Sequence, residues 1–502
     1  MAVFQGTDAG EVITPDAVSE TVTASGGARP GDGIDTIDAG RGNDVVAGGG
    51  GDDIVNLGGG FDSFTWNSGD GSDIVDGGDN SDLLFFNGSD AAEQSFIAPN
   101  AGRLQLVHRN VDRMDLSSIE FISFNALDGA DFIAVASFGG SALREVRIDL
   151  AGRANPAEGD GAQDIVRFEG VIGADTLTLS ISEGRVRLVA GVEERLLIAH
   201  ADADDIFRIE AGSGDNVVDA GLVAAGHMRL ELLTADGADI VTGSQGEDRI
   251  DTDRGVDLVI GGRGDDVAIL GGGDDRFIWN DGDGADLVNG QGDTDTLALN
   301  GSAGNDEFGL ANNGGELVIL ASEATVIETI DVERVELAMA GGSDRVRIGD
   351  LTGTAVERVR IDLGVDGAAD DLIGRLDIDG ATEDEDDIRI DATASGLTAA
   401  LGWGVVRIDH VDEREQLIIA AHGGDDRLDA SAVDRQVLEL ALDGGAGDDL
   451  LISGFGDEAL LGGEGSDTID YRGSDGNVAV DLSAERAAGG YARETSFPAL
   501  RM

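Results

Sequence analysis

The chain has 502 residues, a formal net charge of −67 and no cysteine. Such a charge repels nucleic acid and anionic membrane surfaces and attracts cations, while the missing cysteines exclude a disulfide framework, zinc–thiolate sites and cysteine nucleophiles. All 33 basic residues are arginine, which excludes a P-loop or Schiff-base lysine, and 79 glycines beside few aromatics argue for repeats rather than one large core.

In chain order, residues 1–30 form a lead-in with Pro15 and Pro30 bracketing a Thr/Ser/Val stretch that adds one or two strands. Its opening, MAVFQGTDAGEVITPD, has neither the basic region nor the apolar run of a signal peptide. No stretch of the chain reaches the ~18 apolar residues of a membrane helix. Residues 31–85 carry a glycine–aspartate array whose clearest unit is GGGGDDIVN at 48–56. Its key aspartates, Asp35, Asp44, Asp53 and Asp62, are nine residues apart, and an 11-residue step leads to Asp73 and a nine-residue step to Asp82. Two residues after each stands an apolar residue: Ile37, Val46, Val55, Phe64, Val75 and Leu84.

Residues 86–238 lose most of the glycines and turn into short alternating runs such as LQLVH at 104–108, REVRIDL at 144–150 and ADDIFRIEA at 203–211. These β-branched runs bounded by Gly and Asp read as strands, and helical periodicity is weak throughout. Then the pattern starts again. A second array at 239–298 places Asp248, Asp257, Asp266, Asp275, Asp286 and Asp295 at an offset of 213 from the first six, with the 11-residue step in the same slot. The strand-rich segment 299–442 repeats 86–238, with VRIDL at 146–150 and again at 359–363. GDNVVDA at 214–220 and GDDRLDA at 424–430 match at an offset of 210, so the register drifts. A third, partial array at 443–471 carries Asp449, Glu458 and Asp467, and residues 472–502 form a tail. The chain is a tandem duplication with the start of a third copy.

A strand of two or three residues buries nothing alone, so such repeats must stack. If each nonapeptide makes half a coil, the apolar residues line a continuous interior and the glycines take the tight turns. Aspartates 18 residues apart, such as Asp35 and Asp53, then lie on one edge in adjacent coils. Neighbouring parallel strands are ~4.8 Å apart, where two carboxylates repel by about 1 kcal/mol in water and several-fold more at a protein-like dielectric. A divalent cation between coils removes that cost. Calcium suits the site: it takes six to eight hard oxygen ligands and tolerates irregular geometry, whereas magnesium demands a tight octahedron and zinc prefers His or Cys. Folding is therefore expected to be coupled to calcium. The strand-rich segments fit two architectures, further solenoid with worn turns or a β-sandwich in each half, and the thinner motifs GADFIAV at 129–135, GSDRVRI at 342–348 and DDIRI at 386–390 suit the first.

GGGGDDIVN at 48, GGRGDDVAI at 261, GGAGDDLLI at 444 and GGEGSDTID at 462 all fit GGxGxDxUx. In this the chain resembles the RTX, or hemolysin-type, calcium-binding nonapeptide repeat family. The resemblance implies a right-handed parallel β-roll, secretion by type I-like export with an uncleaved C-terminal signal, and calcium held at Asp35, Asp44, Asp53, Asp62, Asp73, Asp82, Asp248, Asp257, Asp266, Asp275, Asp286, Asp295, Asp449 and Asp467. Some turns depart from the motif: Leu57 and Leu270 replace the first glycine, Asp257 follows Thr252–Asp253, and Glu458 stands where Asp is expected. Asp73 and Asp286 follow the 11-residue step and are placed where an array would end. The run 470–490 resembles a linker that follows such arrays, and no long amphipathic signal helix comes after it.

An alternative reading is a secreted enzyme whose arrays serve export and stability. There is no HExxH and no GxSxG, and carboxylate pairs are too common here to indicate a glycosidase. The five histidines, at 108, 200, 227, 410 and 422, are scattered, with no match seen between the two copies. Trp66 and Trp279 sit at duplicated WN-x-GDG motifs and are expected to pack on the array's shoulder, Trp403 in a core strand, and the acidic run 383–387 in a solvated loop. The reading is an all-β, calcium-binding, non-enzymatic repeat protein with a structural or adhesive role at a cell surface or outside the cell.

Overall fold

The computed structural model describes residues 1–471 and 478–481, apart from 28, 154, 192–193, 322–324, 366–367, 370–373, 383, 435–437 and 456–457. Most of the tail 472–502, and Glu383 of the acidic run, therefore lie outside the described residues. Among those described there is no helix; every regular element is a strand. The chain divides into two compact units, Met1–Arg254 with Gly262–Gly264, and Gly255–Gly261 with Asp265–Met502.

In the first unit the chain coils between two parallel sheets. One sheet stacks Val3–Gln5, Thr36–Asp38, Ile54–Asn56 and Ile74–Asp76 in register. The other stacks Val12–Ile13, Val45–Val46, Ser63–Asn67, Leu83–Asn87 and Phe121–Asn125. Solenoid geometry persists past the array: Phe132–Ala136, Ile165–Glu169, Ile206–Glu210 and Arg229–Leu233 continue the first sheet in parallel. The β-sandwich alternative is thereby set aside. The expected boundary at 85/86 falls inside Leu83–Asn87, which pairs on both sides, so array and strand-rich segment share one sheet. The lead-in contributes three short strands, the third of which, Thr23–Ser25, runs antiparallel to Val3–Gln5.

Sequence reading did not foresee the meanders. Where the first sheet would hold one rung, the chain lays down Gln94–Asn100, Arg103–His108 and Asp112–Ser117 as an antiparallel triplet. Its last strand pairs back to Ile74–Asp76 and its first pairs forward to Phe132–Ala136. The second sheet does the same with Thr176–Ser182, Arg185–Ala190 and Glu194–Ala199. The second unit repeats both devices, with Glu307–Asn313, Glu316–Ala321 and Thr325–Ile330 in one sheet and Asp387–Ala392, Gly396–Ala400 and Val405–Asp409 in the other. There too the expected boundary, 298/299, lies within a strand paired on both sides, Thr296–Asn300.

The interior is what the period demands. Ile37, Val46, Val55, Phe64, Val75 and Leu84 are all at most 2% exposed. In the first unit, three successive rungs carry Trp66, Phe86 and Phe124 inward, stacked at 4.6 and 4.5 Å between centroids. Trp66 and Trp279 are buried in the core, not on its shoulder. Each indole N–H donates to a glycine carbonyl of the following turn, Gly71 at 3.0 Å and Gly284 at 2.9 Å. That turn absorbs the two extra residues of the 11-residue step, and Asp70 closes it by accepting from the Asn67 backbone N–H and Nδ2. Trp403 is also placed differently from expectation: it is half-buried in the bend between Gly396–Ala400 and Val405–Asp409. Phe86→Ala removes the middle of the aromatic stack and is expected to cost about 3–5 kcal/mol. A thermal midpoint in calcium no lower than wild type would count against this.

Candidate metal sites

The key aspartate enters each strand from a glycine turn, so coiling stacks these side chains in two files, one at the entry of each sheet. Successive members are linked by a bond that the spacing alone did not reveal. The backbone N–H of one key acid donates to Oδ1 of the acid one coil further on. In the first unit this runs Asp35 to Asp53 at 2.7 Å and Asp53 to Asp73 at 2.8 Å in one file. In the other it runs Asp44 to Asp62 at 2.7 Å and Asp62 to Asp82 at 2.8 Å. In the second unit it joins Asp257 to Asp275, Asp275 to Asp295 and Asp266 to Asp286 at 2.8–3.0 Å, and Asp449 to Asp467 at 3.3 Å. Asp73 and Asp286 are members of their files, and each is the last acid linked in its run, because the strands that pair next, with Asp115 opposite Ile74 and Glu328 opposite Leu287, bring Met114 and Ile327 to that position.

One oxygen of each such carboxylate is thus committed to an amide. The other, Oδ2, is buried with no hydrogen-bond partner in Asp44, Asp53, Asp62, Asp73 and Asp82, and in Asp275, Asp286, Asp295 and Asp449. The first glycine of the motif makes room for it: a Cβ on Gly48 would fall on Asp53 Oδ2, and one on Gly444 on Asp449 Oδ2. Burial pushes Asp53 and Asp44 up to about 6, and Asp82, Asp275, Asp286 and Asp295 up to about 7. Asp73 rises to about 8, first through burial and then through Asp53, Asp70 and Asp52, against the opposing bond from the Asp53 amide. A carboxylate held this way lacks a positive partner.

These donors fit calcium. Among the described residues no group of three or more His, Cys, Asp or Glu side chains is placed to hold an ion. Any cation here must complete its shell with turn carbonyls and water, which suits a large hard ion and not zinc. The acids with a buried unpartnered Oδ2 are the ones that would hold it, and the ion would supply the charge that the files lack.

The expected ligands are not all alike. Asp35 takes the Ala2 N–H on Oδ1 at 2.6 Å and the Gly31 N–H on Oδ2 at 3.1 Å. Asp248 is bound by the N–H and hydroxyl of Ser244. Asp467 is only half-buried. Glu458 accepts the Gly454 N–H with both oxygens at 3.0 Å and is raised to about 7 by burial.

Sequence reading also missed members. The files continue through the strand-rich segments as Glu93 to Asp131, Asp131 to Asp164 and Asp164 to Asp205 at 2.7–2.8 Å. In the second unit they continue as Asp306 to Asp344 at 2.9 Å, Asp386 to Asp426 at 2.7 Å and Asp426 to Asp449 at 2.9 Å. Glutamates serve at the meanders, where Asp82 donates to Glu120 and Asp295 to Glu333, both at 2.8 Å. The signal was an acid after a small residue ahead of an alternating run, as in GADFIAV and GSDRVRI.

His200 directly follows the residue paired with Asp149, and His410 the residue paired with Asp362. Both have left-handed backbone, φ 56° and 57°, and both rings bond that aspartate through Nδ1 at 2.6 Å. The two copies therefore do share a histidine, at an offset of 210 rather than 213. Its ring closes a turn against a neighbouring rung.

The sequence matches the family described as RTX calcium-binding nonapeptide repeat in four copies, at residues 30–64, 233–268, 254–278 and 441–469. No curated protein matches the chain.

Proposed function

We propose, for a chain that carries four copies of the RTX calcium-binding nonapeptide repeat, that calcium is the counter-charge that lets it fold, and that the folded chain serves a structural or adhesive role outside the cell. The observation that supports this most is the row of buried Oδ2 atoms without hydrogen-bond partners, repeated in both units. A site built from one such oxygen and turn carbonyls is charge-poor, so its affinity falls in the weak range of extracellular modules, ~10⁻⁴–10⁻³ M. Such a protein stays open at cytosolic calcium and closes outside. RTX repeats are typical of secreted proteins. No helix among the described residues is long and apolar enough to cross a membrane.

On this reading the role is structural rather than enzymatic, with the acids duplicated between the copies linked into the files. Calorimetric titration of calcium into chelator-treated protein tests the calcium reading. Saturable binding with a midpoint between about 0.1 and 1 mM calcium, and no comparable heat from magnesium, is the expected result. Nanomolar binding, or none, would overturn it.

A further inference from the structure

The acids of the two files fall into two classes according to what holds their second oxygen. In closed members the acid's own turn supplies a donor to it. Asp35 takes Gly31 N–H, Asp248 takes Ser244, Glu93 takes Ser89 N–H at 2.8 Å, Asp306 takes Ser302 N–H at 2.7 Å and Asp205 takes Asp202 N–H at 2.7 Å. In open members the oxygen is buried and meets no donor. The division does not follow the repeat motif. Asp35 and Asp248 lie within matched repeats, at 30–64 and 233–268, yet are closed. Asp131 and Asp426 lie outside all four matches and are open.

Asp131 is 4% exposed and Asp426 2%. Asp131 gives Oδ1 to the Glu93 amide and Asp426 gives Oδ1 to the Asp386 amide, so each keeps one unpartnered oxygen. The groups acting on them are acidic: Glu93 and Asp160 near Asp131, and Asp386, Asp425 and Glu385 near Asp426. His422, close by, is held against Asp379 at 3.1 Å. The turns above them come into backbone contact as the array turns do. Gly129 has φ +127° and Gly424 φ +135°, and a Cβ on either would run into the backbone of the preceding coil, at Ala91 and Asp384. A buried carboxylate facing other carboxylates needs a cation or must be neutralised.

We infer that Asp131 and Asp426 are calcium ligands at turns outside the matched repeats, and that Asp35 and Asp248, which lie within them, are not. Occupancy follows the second oxygen rather than the consensus. This rests on the reading that the arrays bind calcium. An amide in place of an open acid keeps the Oδ1 acceptor and loses the ligand charge; in place of a closed acid it alters a hydrogen bond that no ion uses.

Equilibrium dialysis with calcium chloride alone separates the cases. The double variant D131N/D426N is expected to bind about two fewer ions than wild type, and D35N/D248N the same number. Circular dichroism in calcium checks that both variants fold. Should D131N/D426N misfold, hydrogen exchange on wild type supplies the answer at about pH 5, where the metal-free chain is itself expected to be folded, because amides at 128–132 and 423–427 must then slow on adding saturating calcium. Undiminished stoichiometry in a folded D131N/D426N, equal loss in D35N/D248N, or unslowed exchange at those amides would overturn the inference while leaving calcium binding by the arrays intact. No binding by wild type would overturn both.

Discussion

Stripped of calcium at neutral pH, the chain is expected to lose most of its β-sheet circular dichroism, and millimolar calcium to restore it where equal magnesium does not. The penalty accumulates along each file. A pair of carboxylates on rungs ~4.8 Å apart repel by about 1 kcal/mol in water and roughly 3–4 kcal/mol at an effective dielectric of 20. Open acids stand on consecutive rungs, as Asp44, Asp62 and Asp82 do, and again at Asp275 and Asp295. A handful of such pairs matches the ~5–15 kcal/mol by which folded domains are stable at all. A ligand present at 100 times its dissociation constant returns about 2.7 kcal/mol per site, so several sites together decide the fold. Mutating one open acid costs one rung; chelation removes every ion at once. Spectra that coincide in chelator and in calcium would refute the coupling.

The second large effect is that acid should partly replace calcium. Among the open acids, Asp53, Asp73, Asp82 and Asp295 have folded values near 6–8 against 3.8 for a free aspartate. Across that interval the folded chain keeps protons that the unfolded chain has released, so lowering the pH favours folding, and the advantage disappears as pH rises through 6–8. Below 3.8 both states are protonated and nothing more is gained. Among the described residues four groups act the other way. Against burial, which raises them, Glu11 is held below the ordinary range by Thr7 and Thr21, Asp409 far below it by Arg407, Ser395 and Arg360, and Asp429 below it by Ser431 and Arg427, so these three favour unfolding in stronger acid. Burial lowers His108, which favours unfolding from about pH 6.5 downward. The metal-free chain should therefore be most stable near pH 5, with a thermal midpoint higher than at pH 8 by on the order of 10 °C. In saturating calcium the difference should shrink or reverse, since protons and calcium compete for the same oxygens. A chelated chain that melts no lower at pH 8 than at pH 5 would show that the files carry no such penalty.

The arrays were legible because their information is local. An aspartate, an apolar residue two later and a nine-residue period fix strand, turn and coil together, and Ile37 through Leu84 are buried as that pattern requires. The meanders were not legible. Alternation in Arg103–His108 looks the same whether the strand is a parallel rung or the middle of an antiparallel triplet, since side chains alternate in both. The files were visible only where glycine marked them, and Glu120 and Glu333 occupy the position with a longer side chain and no motif. The shared histidine was hidden by drift: Asp149 and Asp362 keep the offset of 213, while the strands behind them have slipped to 210. Whether an acid is open or closed depends on where one turn amide points, and a serine four residues earlier, as at Ser89, Ser244 and Ser302, marks three of the closed ones.

The meanders bear on how the molecule assembles in time. Within an array, a rung finds its partner about one coil away, as Ile54–Asn56 finds Ile74–Asp76, and growth from any formed coil is a short zippering step. At a meander the next partner is distant: Ile74–Asp76 waits for Asp115–Ser117, and Glu145–Asp149 for Glu194–Ala199. Doubling the closed loop adds only about 0.6 kcal/mol, so growth is delayed there rather than barred. Two hairpins must first form on their own, in microseconds, before the coil can close over them. Each unit thus carries internal pauses that separate stretches able to grow, and to fray, at their own pace.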